Sequence, residues 1–199
     1  MIARVYLAGP DVFLPDAAAW AAGRAAVCAR HGLVAVSPLD ALADEAGWVD
    51  LPEWQHIALR NEAHIRGCDA VIANLTPFRG PSADVGTIYE VGYARALGRV
   101  VFGYTNCTLL FTRRSLDYAM EHSVASGSPR GIWRDGDGLL IEQFKRYDNL
   151  MIEGGIVGSG GLLVVPESEP EDRWRDLATF ERCVELAARA LSIRLTRGG

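Results

Sequence analysis

Five short runs of apolar residues recur along the chain, each followed by glycine, proline or a polar residue. They span residues 2–8, 33–36, 70–75, 100–104 and 162–165. Apolar runs of about four to eight residues bounded by turn residues are typical of buried strands. The pattern therefore predicts about five strands, and the first is closed by the turn-forming pair Gly9-Pro10.

Longer stretches of mixed polarity separate these runs and have the residue spacing of helices. Helices are expected over residues 16–30, about 52–66, 85–98 and 170–195. Asp16 is placed to cap the first helix with its side chain. On the second helix, the residues expected on the inner face are Trp54, Ile57, Ala58 and Ile65.

Strands that alternate with helices favour a parallel sheet with helices on both faces. We expect one α/β domain over residues 1–199, with about five strands in a doubly wound, Rossmann-like or flavodoxin-like sheet. The stretch from about 105 to 161 is expected to be an irregular excursion that serves the site, a subunit contact or both. Within it, the glycine-rich run at 153–161 predicts a mobile loop.

Ligands of such sheets bind beyond the carboxyl ends of the strands. Three segments are therefore expected to form a site: the loop after Ala8, the loop after Leu75 and the turn into the helix at 85–98. Functional side chains should be concentrated in these segments.

Composition and charge narrow the class of partner. The chain has 199 residues, of which 49% are hydrophobic and 23% charged, and its net charge is −5. Nucleic acids and anionic membranes are bound by clustered positive charge, so the acidic balance disfavours both and favours a small-molecule substrate. The sequence shows no signal peptide and no apolar run near the roughly 18 residues of a membrane span, so we expect a cytoplasmic protein.

Cysteine and histidine spacing does not indicate a metal site. The four cysteines lie about 40 residues or more apart, which matches no zinc or redox motif, and they are expected to be reduced structural thiols. The four histidines also lack the spacing of metal ligands. The chain has neither the G-x-G-x-x-G nor the P-loop pattern, so no metal or organic cofactor is expected.

Two carboxylates near the start of the third helix are the strongest candidates for chemistry. Asp84 precedes the helix and Glu90 lies about one and a half turns inside it, so both can face a pocket above the sheet edge. A purely structural interpretation makes Asp84 an N-cap and Glu90 an exposed helical glutamate. Function is favoured because Gly86 and Gly92 weaken the helix unless packing or a ligand requires them, and because the residues around Glu90 are apolar.

Five motifs run in order over about residues 4–151. They are Val5-Tyr6-Leu7-Ala8-Gly9-Pro10 with Phe13, Asn61 ahead of Asp69, Pro77-Phe78-Arg79-Gly80, Asp84-Val85-Gly86-Thr87-Ile88-Tyr89-Glu90-Val91-Gly92, and Asn149-Leu150-Met151. Through these five motifs the chain resembles the nucleoside 2-deoxyribosyltransferase family, and within that family the protozoan branch. The resemblance implies that 2-deoxyribose is transferred between nucleobases through a covalent sugar ester on a glutamate.

The resemblance also implies a role for each matching residue. Glu90 would be the nucleophile, Asp84 would assist proton transfer at the base, and Tyr6 would position Glu90 through its hydroxyl. The other residues of these motifs that are expected at the substrate are Gly9, Phe13, which would line the base pocket, Asn61 and Gly86.

Asn149 and Met151 match residues that reach into a neighbouring subunit's site in the family. The resemblance therefore implies a homo-oligomer with shared active sites. Its expected ligands are small-molecule deoxynucleosides and free bases.

Asp11 departs from the family pattern, because relatives often carry a small or apolar residue there. It could hydrogen-bond a base edge, which places it among the candidate substrate-binding residues, or it could simply begin a turn. Residues 41–42 are Ala-Leu where relatives often place amide or acidic side chains against the base, so the base preference stays open. A solvated face is expected for Arg113, Arg114 and Arg130.

Two other functions are compatible with this sequence. Relatives on the same fold hydrolyse 2′-deoxynucleoside 5′-phosphates, and Ser82 and Arg79 could face such a phosphate, whereas Asp11 would repel it. A non-catalytic nucleotide-sensing module is the third interpretation. It is disfavoured because both Glu90 and Asp84 are present.

Overall fold

Five parallel strands form the central sheet of the protein. The computed structural model describes residues 2–43, 46–48, 50–122, 126–127 and 131–197. The strands of the sheet are β1 (Arg4–Ala8), β2 (Val34–Val36), β3 (Ala70–Asn74), β4 (Val100–Tyr104) and β7 (Leu163–Val164), and they lie in the order β2-β1-β3-β4-β7. Two further short strands, β5 (Ser126–Gly127) and β6 (Trp133–Arg134), pair antiparallel outside this sheet. Each of the five predicted apolar runs contains a strand of the sheet.

Helices cover both faces of the sheet. They are α1 (Ala17–Arg30), α2 (Glu53–Arg66), α3 (Val85–Ala96), α4 (Phe111–His122), α5 (Leu150–Gly158) and α6 (Ala178–Arg197). One core cluster joins the sheet to α1 and α6, and a second joins it to α2, α3 and α5. All pairings within the sheet are parallel, and the strand order is that of flavodoxin-like proteins, which confirms the predicted doubly wound α/β fold.

Two predictions about helix surfaces were wrong. Asp16 stands at the N-cap of α1 but makes no capping hydrogen bond, because its carboxylate pairs with both terminal nitrogens of Arg175 at 2.6 and 3.0 Å. On α2, Ile65 is buried as expected, but Ala58 is exposed. Trp54 and Ile57 are 71% and 41% exposed. These two side chains therefore belong to an outer apolar surface of the single chain.

The excursion at 105–161 contains more regular structure than the sequence indicated. Helices α4 and α5 both lie within it, and α5 covers most of the glycine-rich run that predicted a mobile loop. The Asn149 side chain caps α5 by accepting the Met151 N–H at 3.0 Å. Two of the glycines serve close packing: a Cβ on Gly158 would lie 3.0 Å from the Arg95 guanidinium, and one on Gly161 would overlap the carbonyl oxygen of Val101.

The arginines of the excursion do not share one environment. Arg113 is on the surface and pairs with Asp117 at 2.9 Å. Arg114 is buried, contrary to the expected solvated face, and donates to the carbonyl oxygens of Pro81, Leu109 and Tyr147. Arg130 lies outside the described residues.

All four cysteines are buried and carry free thiols, as predicted. In the part of the chain that the structure describes, no helix combines the length and apolar content needed to cross a membrane.

Candidate active site

A cavity of about 310 Å³ opens at the carboxyl edge of the sheet, where β1, α2 and α3 meet. The loop after β1 supplies one wall, α2 supplies a second, and the first turns of α3 supply a third. Two of the three predicted segments therefore meet here. The loop after Leu75 lines no part of this cavity, but its Phe78 stacks on Phe13 of the first wall.

Glu90 is the buried carboxylate of this cavity. The Tyr6 hydroxyl donates to Glu90 Oε1 at 2.6 Å, and Asn61 Nδ2 donates to the same oxygen at 3.2 Å. Tyr6 is fully buried on β1, Asn61 lies on α2, and Glu90 lies on the face of α3 that packs toward both. The hydroxyl contact expected between Tyr6 and Glu90 is thus present, and in the described part of the chain both hydrogen bonds go to Oε1, which leaves Oε2 to face other groups.

The surroundings of Glu90 change its ionisation. Burial raises the pKa of Glu90 from its ordinary value of 4.5 to about 7, while the hydrogen bond from Tyr6 acts in the opposite direction. The negative charge of Asp84 raises the pKa further, and the Asn61 hydrogen bond lowers it. Burial and the adjacent carboxylate also raise the pKa of Tyr6, so this phenol keeps its proton and remains a donor to Glu90.

Asp84 combines a structural role with a place in the cavity. Its Oδ2 accepts hydrogen bonds from the Thr87 N–H at 2.8 Å and the Thr87 hydroxyl at 2.9 Å, which caps α3. Gly86 also lines the cavity, and a Cβ there would lie only 3.1 Å from Asp84 Oδ2. Gly92 differs, because a Cβ at that position would meet no atom within 4 Å, so close packing does not explain this glycine.

Phe13 and Gly9 lie on the wall that follows β1. The Phe13 ring stacks on Phe78 with centroids 5.4 Å apart and an interplanar angle of 11°. The Arg79 guanidinium lies over both rings, 5.1 Å from Phe13 and 4.5 Å from Phe78. A planar ligand in the cavity would therefore meet an aromatic side chain that is packed against Phe78 and Arg79.

Asp11 does not line this cavity, which corrects the interpretation that it hydrogen-bonds a base edge. Its carboxylate turns into the protein and accepts from Arg24 Nη1 at 2.7 Å and Trp20 Nε1 at 3.0 Å. Asn74 Nδ2 lies 3.2 Å from both carboxylate oxygens. Since Arg24 compensates the charge, Asp11 also gives little reason to exclude a phosphate from the loop.

Asn149 and Met151 lie at the start of α5 and do not line the cavity of their own chain. The Asn149 side chain is held by Met151 N–H and Glu142, and Met151 is 69% exposed. A role in a neighbouring subunit's site stays a prediction.

Sequence reasoning missed several cavity residues. Ile57 and Arg60 line it together with Asn61, at the i, i+3, i+4 spacing that places side chains on one helix face. That spacing was a usable signal, but Ile57 had been assigned to the core. Val12, Thr87 and the stretch 38–39 complete the lining. Thr87 stands in the motif at 84–92 but was not singled out as a site residue.

A second cavity of about 260 Å³ adjoins the first and shares Ile57, Asn61 and Glu90 with it. Its outer rim includes Trp54 and Tyr89, which are 71% and 59% exposed. Glu90 is therefore reached from two sides, and the second side carries an apolar rim on the chain surface.

The described residues contain no group of three or more histidine, cysteine, aspartate or glutamate side chains placed to hold a metal ion. The polar side chains that line the cavity are two carboxylates, an amide, a threonine hydroxyl and an arginine.

Comparison with known protein families identifies the family to which this chain belongs. The model of the family described as nucleoside 2-deoxyribosyltransferase matches residues 5–151. The chain belongs to this family. A curated relative, the uncharacterized protein C191.05c of Schizosaccharomyces pombe, is 30% identical over 178 residues, which cover 84% of this chain and 83% of the relative.

One solved structure agrees with the family assignment, and a second shares the fold. A 2-deoxyribosyltransferase of Leishmania mexicana is 29% identical, with 92% of this chain and 97% of that chain covered and a TM-score of 0.57. A conserved protein of Enterococcus faecalis V583 is 20% identical, with 93% and 98% covered and a TM-score of 0.51, and it shares the fold. The resemblance to the deoxyribosyltransferase family is therefore confirmed.

Proposed function

We propose that this member of the deoxyribosyltransferase family transfers 2-deoxyribose between nucleobases by double displacement, with Glu90 as the nucleophile. The observation that carries the proposal is the Glu90 carboxylate, buried at the cavity with Oε1 held by Tyr6 and Asn61. A carboxylate fixed through one oxygen presents the other in a defined direction, as a nucleophile requires.

In the first displacement, Oε2 of Glu90 attacks C1′ of the deoxynucleoside. The bond between C1′ and the base nitrogen breaks, and its electron pair leaves with the base, which takes up a proton. Asp84 borders the same cavity and is the candidate for delivering that proton. Positive charge that builds on the sugar is stabilised by the attacking carboxylate.

In the second displacement, a nitrogen of the incoming base attacks C1′ of the sugar ester and gives up its proton to Asp84, which is restored for the next turnover. The ester C–O bond breaks, and Glu90 regains its carboxylate. Two inversions at C1′ retain the configuration of the nucleoside. Tyr6 and Asn61 contact Oε1 throughout, so the leaving carboxylate returns to a site that is already prepared for it.

Water must be excluded while the ester exists, because it would hydrolyse the intermediate. We propose that a second copy of the chain closes the cavity that adjoins Glu90, with Asn149 and Met151 reaching in from that copy. The exposed Trp54 and Tyr89 at this rim support the proposal, because large apolar side chains on a surface are typical of subunit contacts. The exposed Met151 at the start of α5 is available for such a contact.

Product analysis tests the proposed activity. The protein is mixed with deoxyinosine, with and without free adenine, and the Glu121→Gln variant, which changes an exposed side chain, serves as the control. Deoxyadenosine that forms only in the presence of adenine supports the transfer. Hypoxanthine released without any new nucleoside would instead show a hydrolase.

The hydrolase is the second candidate because the charge of Asp11 is compensated by Arg24. The sequence alone indicated that Asp11 would repel a 5′-phosphate near the first loop. With its charge compensated, Asp11 gives no such repulsion. Deoxynucleoside 5′-monophosphates therefore belong in the same assay, and hydrolysis restricted to them would replace the transferase proposal.

A further inference from the structure

An ion pair lies beneath the loop that forms the aromatic wall of the cavity. Arg24 of α1 and Asp11 of the loop are 2.7 Å apart, and their side chains are only 2% and 5% exposed. Trp20 of α1 and Asn74 at the end of β3 also donate to the Asp11 carboxylate. Asp11 is thus the point at which the loop is fastened to a helix and to the sheet.

Asp11 stands between residues of the same loop that form the aromatic wall of the cavity. Gly9, Val12 and Phe13 all line the cavity, whereas Asp11 between them faces the interior. A Cβ on Gly9 would overlap Asp11 Oδ2 and would lie 2.8 Å from Asn74 Cβ. The loop therefore folds tightly over its own carboxylate, and the direction of the Asp11 side chain sets the direction of the neighbouring wall residues.

Stability alone is a weak explanation for such a pair. Removing two charges from water carries a large free-energy penalty, and well-packed apolar residues often replace buried ion pairs without loss of stability. What an ion pair does provide is geometry, because Asp11 accepts from donors on two different elements and only one arrangement satisfies them all.

We propose that Asp11 and Arg24 are a positioning pair that sets the base-binding wall of the cavity, and so determines affinity for the nucleobase. The inference rests on the proposed function for the identity of the ligand. Neither residue touches the ligand. They act through Val12 and Phe13, whose side of the loop faces the cavity.

The test uses the double variant Asp11→Asn/Arg24→Met. Asparagine keeps the shape and an acceptor for Trp20, and methionine keeps an apolar stem, so no lone charge is left buried. The matched control is Arg30→Met/Glu181→Gln, which removes an exposed ion pair between the same helix α1 and α6. Both proteins are compared with Phe13→Ala, which alters the wall directly.

Steady-state kinetics with a saturating donor separate positioning from general damage. For the double variant we expect the KM of the acceptor base to rise about tenfold or more, a change equivalent to about 1.4 kcal/mol. The rate of ester formation in a single turnover should change by less than about threefold, since Glu90 and Tyr6 are untouched. Adding Phe13→Ala to the double variant should raise the KM little further, because both changes remove the same wall.

Hydrogen exchange of the free protein separates this inference from the proposed function. The backbone amides of residues 9 and 11–14 should exchange faster in the double variant than in the wild type and in the control, whatever the enzyme's activity. An unchanged exchange rate would overturn the positioning role even if base exchange is fully established. An unchanged KM, or a Phe13→Ala effect that adds in full, would overturn it as well. If these amides exchange faster in the double variant but the wild type transfers no sugar, the proposed function is wrong and the positioning role of Asp11 and Arg24 still holds.

Discussion

Replacing Glu90 with glutamine should stabilise the protein above neutral pH while it removes the nucleophile. The glutamine keeps an oxygen that accepts from Tyr6 and Asn61, so the change removes mainly the charge. Burial holds the pKa of Glu90 at about 7 in the folded chain, against an ordinary value of 4.5. That difference corresponds to about 3 kcal/mol of unfavourable free energy for the ionised form.

The sign follows from linkage between ionisation and folding. A pKa that is raised on folding favours the folded state fully below pH 4.5, and this contribution is lost as the pH rises through about 7. Relative to wild type, Glu90→Gln should therefore raise the free energy of unfolding by about 3 kcal/mol at pH 8.5 and by less than about 1 kcal/mol at pH 5.

Urea unfolding of both proteins at the two pH values measures this difference. The Glu121→Gln variant, at an exposed position of α4, is the control and should change the free energy of unfolding by less than about 0.5 kcal/mol at either pH. A Glu90→Gln variant that is equally stable or less stable than wild type at both pH values would refute the claim that a buried carboxylate is ionised at a cost.

Further predictions concern rate, assembly and packing. The rate of glycosidic cleavage at saturating donor should fall about tenfold per pH unit below pH 7, because Glu90 must be ionised to attack, and a flat profile between pH 5.5 and 7 would contradict this. Tyr6→Phe removes a hydrogen bond that lowers the pKa of Glu90. Cleavage rates measured by rapid quench should therefore begin to fall at a higher pH than in the wild type. An unchanged pH profile would count against the hydrogen bond between Tyr6 and Glu90. If two subunits share each site, a mixture of the Glu90→Gln and Asn149→Ser variants should recover activity that neither variant has alone. Serine at 149 keeps a side chain that can cap α5. No recovery after subunit exchange would argue for self-contained sites. Gly161→Ala should lower the free energy of unfolding by about 2 kcal/mol or more in urea titrations, because its Cβ would overlap the Val101 carbonyl, and a neutral result would show that the backbone can move there.

The sheet could be predicted because its signal is local. Each strand is a short apolar run between turn residues, and burial on both faces leaves no polar alternation to confuse the pattern. The excursion was mispredicted because glycine normally weakens helices, whereas Gly158 and Gly161 serve close contacts with Arg95 and Val101 that no local pattern reveals.

The site shows the same division between local and tertiary information. Asp84 and Glu90 were placed correctly at the start of α3 because their spacing along one helix fixes their relation. The sequence left Asp11 open between a base contact and a turn, because its partner Arg24 lies on α1 and only the folded chain brings the two together. The exposure of Trp54 could not be anticipated either, since an apolar residue at helical spacing fits a core and a subunit surface equally well.

The central claim is a covalent ester between deoxyribose and Glu90, and trapping it is the most direct test. The protein is incubated with deoxyinosine without an acceptor base, quenched in acid, digested and analysed by mass spectrometry. We expect one deoxyribosyl group on the peptide that contains Glu90, absent from the Glu90→Gln variant and lost when adenine is added before the quench. A wild-type protein that exchanges bases but carries the sugar on another residue, or on none, would contradict the account.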